Sequence, residues 1–171
     1  TYQYGATPIG ALDIVLDDQG HATQTQYDRR GRPVAEDEPS RGTTTVTYNG
    51  FGEAKQTVHV ATGQTETDTY DDLGRVITTT TPDGLTTYSW DVAANGVGRL
   101  ARTMSPDQIK TEYRYDNLGR TTGIDQTDEL NLMASIDIQY DPQTGRLTSI
   151  DYPKAPGQGS RSRGGRPGQG G

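Results

Sequence analysis

The chain has 171 residues, and only 29% of them are hydrophobic, with ten tyrosines but a single Phe and a single Trp. That share is too small to fill the core of a conventional layered domain, and the absence of cysteine excludes disulfide frameworks and thiolate metal sites. Net charge is −7; of the 16 basic residues four lie beyond Pro153, so Thr1–Pro153 sets 12 against 23 acids, a net −11 that argues against nucleic-acid binding by the body.

In chain order, a half-erased repeat opens at Tyr4-Gly5 with Gly10. A turn signal follows at Asp18-Gln19-Gly20, then Tyr27-Asp28-Arg29-Arg30-Gly31-Arg32. Pro39-Ser40-Arg41-Gly42 breaks the chain before the Thr-rich strand Thr43–Tyr48. Tyr48-Asn49-Gly50-Phe51-Gly52-Glu53 is a weaker copy, and Ala61-Thr62-Gly63 is the next break. Tyr70-Asp71-Asp72-Leu73-Gly74-Arg75 is a full copy, followed by Thr81-Pro82-Asp83-Gly84. Trp90-Asp91 leads to Gly98-Arg99-Leu100 across a longer loop, and Ser105-Pro106-Asp107-Gln108 echoes the Pro-Asp-Gly break. Tyr115-Asp116-Asn117-Leu118-Gly119-Arg120 is full again. Asp128 to Ser135 reads as an inserted helical turn. Tyr140-Asp141-Pro142-Gln143-Thr144-Gly145-Arg146 closes the array with one extra residue. The aromatic anchors stand 20 to 25 residues apart, a spacing of tandem supersecondary units. Residues 154–171, with Lys154, Arg161, Arg163 and Arg166 among Gly, Pro and Ser, read as a flexible basic tail.

Period-two alternation links Tyr88 with Trp90, Tyr113 with Tyr115, and Ile136 with Ile138 and Tyr140, the mark of half-buried strands. Each unit is therefore strand, turn, strand, turn. In Asp-x-x-Gly-Arg the Asp carboxylate accepts backbone N–H groups ahead of it, and Gly takes the φ > 0 that closes a hairpin. Arg leaves into the return strand, where its fork can reach the turn Asp or a neighbouring repeat's acid. An exposed pair of that kind is worth about 0–1 kcal/mol. Tyr supplies apolar area with a polar tip. The expected fold is all-β: tandem antiparallel hairpins in a curved, spiralling sheet over 1–153.

Chemistry is sparse. His21 and His59 are the only histidines and occupy unrelated repeat phases, so exposed strand positions outweigh a catalytic or metal pair. Asp17-Asp18 and Asp71-Asp72 read as turn residues before they read as acid–base or calcium groups. Tyr88 and Trp90 are the candidates for stacking on sugar, against the commoner role of packing the sheet. No phosphate-loop or nucleophile-elbow spacing appears, no apolar run approaches the ~20 residues of a membrane span, and no signal segment opens at Thr1. No cofactor is expected.

These motifs resemble the YD repeat of the RHS family: Tyr-Asp, two or three residues, Gly-Arg-Leu, then Pro-Asp-Gly. Tyr70 to Arg120 follows the pattern closely, and the resemblance runs from Tyr4 to Pro153. Family members include bacterial RHS polymorphic toxins, wall-associated proteins, the C components of insecticidal toxin complexes and teneurins. The resemblance implies a hollow β-shell built from many such repeats, enclosing a C-terminal toxin in the toxin members, with carbohydrate binding at a cell surface as the alternative role. It implies further repeats of the same polypeptide and a toxin domain as partners, export or surface display by a bacterium, and no catalysis. It implies structural turn roles for Tyr27, Asp28, Gly31 and Arg32, for Tyr70, Asp71, Gly74 and Arg75, for Tyr115, Asp116, Gly119 and Arg120, and for Tyr140, Asp141, Gly145 and Arg146. The self-cleaving core signature is missing, so no proteolytic role carries over. Six or seven repeats are too few for a closed shell, so a fragment is expected. Its open sheet edges would pair with another chain.

Overall fold

The computed structural model describes residues 2–4 and 12–153; the expectations placed on Gly5, Gly10 and the basic tail lie outside them. Fourteen strands follow one another: β1 (Tyr2–Tyr4), β2 (Leu12–Leu16), β3 (Ala22–Tyr27), β4 (Pro33–Glu38), β5 (Gly42–Tyr48), β6 (Ala54–His59), β7 (Gln64–Tyr70), β8 (Val76–Thr81), β9 (Gly84–Trp90), β10 (Leu100–Met104), β11 (Lys110–Tyr115), β12 (Thr121–Thr127), β13 (Met133–Tyr140) and β14 (Leu147–Asp151). No helix occurs among the described residues. The all-β tandem-hairpin architecture read from the sequence is what the chain adopts.

Two compact units divide the chain, Thr1–Leu85 and Thr86–Gly171. In the first, β1 to β8 form an antiparallel ladder in which each strand pairs with its sequence neighbours. In the second, β9 to β14 do the same. Consecutive antiparallel pairing needs only short turns, and the sequence supplies one every 8 to 12 residues or so. Within each unit, therefore, the Tyr-Asp turns share one end of the strands and the Pro-Asp-Gly-like turns share the other.

The described side chains of the sheet are half-buried or exposed, with one exception. Ala101, at 5% exposure, is the buried apolar residue among those described. Each unit is thus a single layer rather than two layers around a core. Cohesion comes from the backbone ladder and cross-strand pairs, such as Thr69 Oγ1 with Thr78 Oγ1 at 2.5 Å and Thr79 Oγ1 donating to Asp68 at 2.6 Å.

Every Tyr-Asp hairpin also slips register by one residue at its aromatic. Gln26 faces Ala35 but Tyr27 faces Pro33, leaving Val34 extra. Tyr48, Tyr70, Tyr115 and Tyr140 repeat the step, and opposite Trp90 the extra residue is Ala101. These are β-bulges, which bend the strand and steepen its twist.

The helical turn expected at Asp128–Ser135 is not formed. Residues 128–132 are a hairpin turn and Met133 already belongs to β13. Asp128 Oδ1 accepts the N–H groups of Leu130 and Leu132 at 2.9 and 2.8 Å, and Asn131 takes φ 60° where other turns have glycine. The Leu132 N–H, which in a helix would donate to the Asp128 carbonyl, goes to the Asp128 side chain instead, while that carbonyl accepts Asn131 N–H at 3.0 Å to close the turn.

Candidate structural site: a clasp from repeat to repeat

In the turn after β3, Asp28 Oδ1 accepts the backbone N–H of Arg30 at 2.8 Å and of Arg32 at 3.0 Å. Its Oδ2 accepts Nε and Nη2 of Arg32 at 2.8 and 2.6 Å. One carboxylate thereby closes the turn and holds a guanidinium in a two-pronged grip. Asp71 repeats this with Leu73 and Arg75, and Asp116 with Leu118 and Arg120, all contacts lying between 2.7 and 3.0 Å. The glycines Gly31, Gly74 and Gly119 take φ between 71° and 77°, as the turn chemistry requires.

The gripped guanidinium reaches into the next repeat. Arg32 lies 4.1 Å from the ring centre of Tyr48, and Arg120 lies 4.3 Å from that of Tyr140. Arg99, in the longer loop, is 5.6 Å from Tyr115. The ring's negative face is a site for such a cation, and the Nη1 of this Arg32 guanidinium is buried with no hydrogen-bond partner. Each Tyr hydroxyl then donates back to the repeat before it: Tyr48 to the Pro33 carbonyl at 2.6 Å, Tyr70 to Ala54 at 2.6 Å, Tyr115 to Leu100 at 2.7 Å and Tyr140 to Thr121 at 3.1 Å. The turn glycine makes room for this grip. A Cβ on Gly119 would stand 3.0 Å from Nε of Arg99, and one on Gly145 would stand 3.2 Å from Nη1 of Arg120. Arg120 Nη1 also donates to the Gly145 carbonyl at 3.0 Å.

Electrostatics follow the geometry. Asp28 and Asp71 are held below the usual carboxylate range by the backbone N–H of Arg32 and Arg75, then by the guanidinium bonds. For Asp116 desolvation is the largest single influence and pushes upward, but the N–H and guanidinium of Arg120 together outweigh it. Desolvation raises Tyr70 and Tyr115 above the ordinary phenol range.

The degenerate copies keep the shape and change the chemistry. Asn49 replaces Asp, and its Oδ1 accepts the N–H groups of Phe51, Gly52 and Glu53 at 3.0 to 3.1 Å. At the last turn Asp141 binds the N–H and hydroxyl of Thr144 at 2.6 and 2.9 Å instead of an arginine, and those contacts lower its pKa. Arg146 is exposed and outside this grip.

One clasp-like turn was missed. Asp17 Oδ1 accepts the N–H groups of Gln19 and His21 at 2.8 Å, and Oδ2 meets Nδ1 of His21 at 2.8 Å. Asp17 to His21 has the Asp-x-x-Gly-basic spacing, so the motif itself was the available signal. His59 instead pairs with Thr44 across the ladder, Nδ1 to Oγ1 at 3.1 Å. Tyr88 and Trp90 are half-buried and face Thr103 and Leu100 in the ladder. An open groove of about 510 Å³ in the second unit is lined by the loop at Val92–Ala94 and by Tyr113 and Arg114, not by Tyr88 or Trp90. Its Arg114 is committed to Asp125 at 2.8 Å and Asp137 at 2.7 Å.

Residues 70–93 match the RHS Repeat family model. The YD-repeat resemblance read from the spacing is thereby borne out, and a structural repeat role comes with it. No curated protein matches the chain. Among solved structures, the Photorhabdus luminescens Tc holotoxin pore carrying a TccC3 mutation is similar at 13% identity and TM-score 0.53, over 94% of this chain and 12% of that one. The crystal structure of TcdB2-TccC3-Cdc42 is similar at 17% identity and TM-score 0.49, over 89% of this chain and 10% of that one. The chain thus spans about a tenth of the length of those it resembles, and the likeness to the holotoxin pore is one of fold.

Proposed function

We propose that the chain is a non-catalytic wall segment of an RHS-type β-shell, whose task is to enclose or scaffold a C-terminal toxin in an exported or surface-displayed bacterial protein. The supporting observation is the clasp. Each unit is a single layer with Ala101 as the one buried apolar residue among those described, yet Arg32, gripped by Asp28, lies on Tyr48 of the next repeat, and Arg120, gripped by Asp116, lies on Tyr140. That is the construction of a wall, in which stability is passed from neighbour to neighbour. The bulge beside each Tyr-Asp turn bends successive hairpins at equivalent places, as a curved wall requires. The partners are then further repeats of the same polypeptide and the enclosed domain.

Limited proteolysis of the natural polypeptide with mass mapping tests this. The expected result is a resistant repeat region whose downstream segment is cleaved only after the shell is denatured. Cleavage of that segment at the rate of the free domain would overturn enclosure.

A further inference from the structure

The tips of the Tyr-Asp turns in the first unit carry side chains that their own turns do not use. In the turn after β7, the backbone of Leu73 is bonded to Asp71, while its side chain is 76% exposed. Phe51, at the same position of the preceding turn, is 93% exposed. Arg29 and Arg30 are exposed at the tip before that, and Asp72 is exposed beside Leu73. None of Arg29, Arg30 or Asp72 has a charged partner among the described residues.

Along this edge the three tips read basic, aromatic, acidic. They lie two strands apart, so the spacing is about 9.6 Å, twice the strand separation. A row with that order is complementary to itself under a two-fold axis through its middle member. Phe51 then meets Phe51 of the second copy, and Arg29 and Arg30 of each meet Asp72 of the other, at matching periods. A partner without a two-strand repeat would not keep this register.

We infer that the Tyr-Asp turn edge of the first unit is a contact edge for a second copy of the chain, centred on Phe51 and aligned by the Arg29/Arg30–Asp72 pairs. The contact is small, so it is weak and transient. It is independent of whether the chain encloses a cargo. It also differs from pairing through open sheet edges, because tip charges play no part in backbone pairing.

Sedimentation equilibrium of the full chain tests it. The wild-type mass is expected to rise from 18.5 kDa toward twice that value with concentration. Arg29→Asp with Arg30→Asp, and separately Asp72→Arg, each set like charges face to face and are expected to raise the dissociation constant at least tenfold. Mixing those two variants restores opposite charges at both contacts, and association should return to within about threefold of wild type. Phe51→Ser should weaken both the wild type and the mixture. Far-UV circular dichroism confirms that each variant folds, and if a charge reversal does not, Arg29→Gln with Arg30→Gln and Asp72→Asn are expected to weaken association in the same direction by a smaller factor, because they remove the attraction without adding repulsion. A wild-type chain that stays monomeric overturns the inference. So does association indifferent to the tip charges, or a mixture no stronger than its components.

Discussion

At the scale of single residues, the turn glycine answers two demands that substitution separates. Gly63 has φ 69° with nothing near its missing Cβ, whereas Gly119 has φ 71° and Arg99 at 3.0 Å. Alanine at either position meets the left-handed penalty of about 1–2 kcal/mol. Gly119→Ala must also displace the arginine from its place against Tyr115, so its loss should be the larger of the two in urea denaturation; equal losses would show that the arginine moves freely. Gly123 is a different case. Its φ is ordinary, but a Cβ there would fall 2.2 Å from Cζ of Arg114, and the flexible side chain can yield. Gly123→Ala should therefore cost below about 1 kcal/mol, the worth of an exposed ion pair, and should cost almost nothing once Arg114 is already Ala. The turn aspartates set the acid limit. Their pKa values are depressed in the folded chain, so the folded state binds fewer protons than the unfolded one as the pH approaches their range. Their stabilisation is complete above the unfolded value of about 3.9 and is lost as pH falls through the lower folded values. Asp71→Asn with Asp116→Asn should make the acid unfolding curve, followed by circular dichroism, shallower in that window. An unchanged curve would assign acid unfolding to other carboxylates.

At the scale of the element, the repeat is legible in the sequence because its turn depends on local chemistry. Asp, Gly and the spacing between them are enough to place the hairpins at Asp28, Asp71 and Asp116. The clasp is not legible, because the arginine and the tyrosine it meets are 16 to 20 residues apart and only register brings them together. Considered alone, the arginine looks like half of a weak surface pair. In the folded chain it is half-buried, gripped by Asp on one side and laid on a ring on the other. The turn at Asp128 was misread for a related reason: Leu130, Leu132 and Met133 make an apolar cluster that imitates helix patterning, while Asn131 hides the left-handed position that glycine marks elsewhere. A double-mutant cycle on Arg120 and Tyr140 measures the clasp directly. A coupling of about 0.5–1 kcal/mol is expected from the ring contact, and a coupling near zero would reduce the stacking to coincidence. Tyr115→Phe should cost a further ~0.5–1.5 kcal/mol by leaving the Leu100 carbonyl without its hydroxyl donor.

At the scale of the molecule, the low apolar content and the missing core are the same fact. A chain with 29% hydrophobic residues can fold here because a single-layer ladder asks for paired backbone, satisfied turns and neighbour contacts rather than for an apolar interior. Such a chain should unfold with an unusual heat-capacity signature. Exposure of apolar surface raises the heat capacity and exposure of polar surface lowers it, and ordinary domains balance at about 12–15 cal/mol/K per residue. With Ala101 as the buried apolar side chain among the described residues, the positive part is small while the peptide ladder contributes its full negative part. Scanning calorimetry on the dilute chain should therefore give a value clearly below that range. As concentration rises and a face or edge becomes covered, the value per residue should rise with it, because covered apolar tips such as Phe51 and Leu73 are exposed again on unfolding. An ordinary value at high dilution would mean that the single layer does not persist in solution and that the sheet has folded over on itself to hide a face.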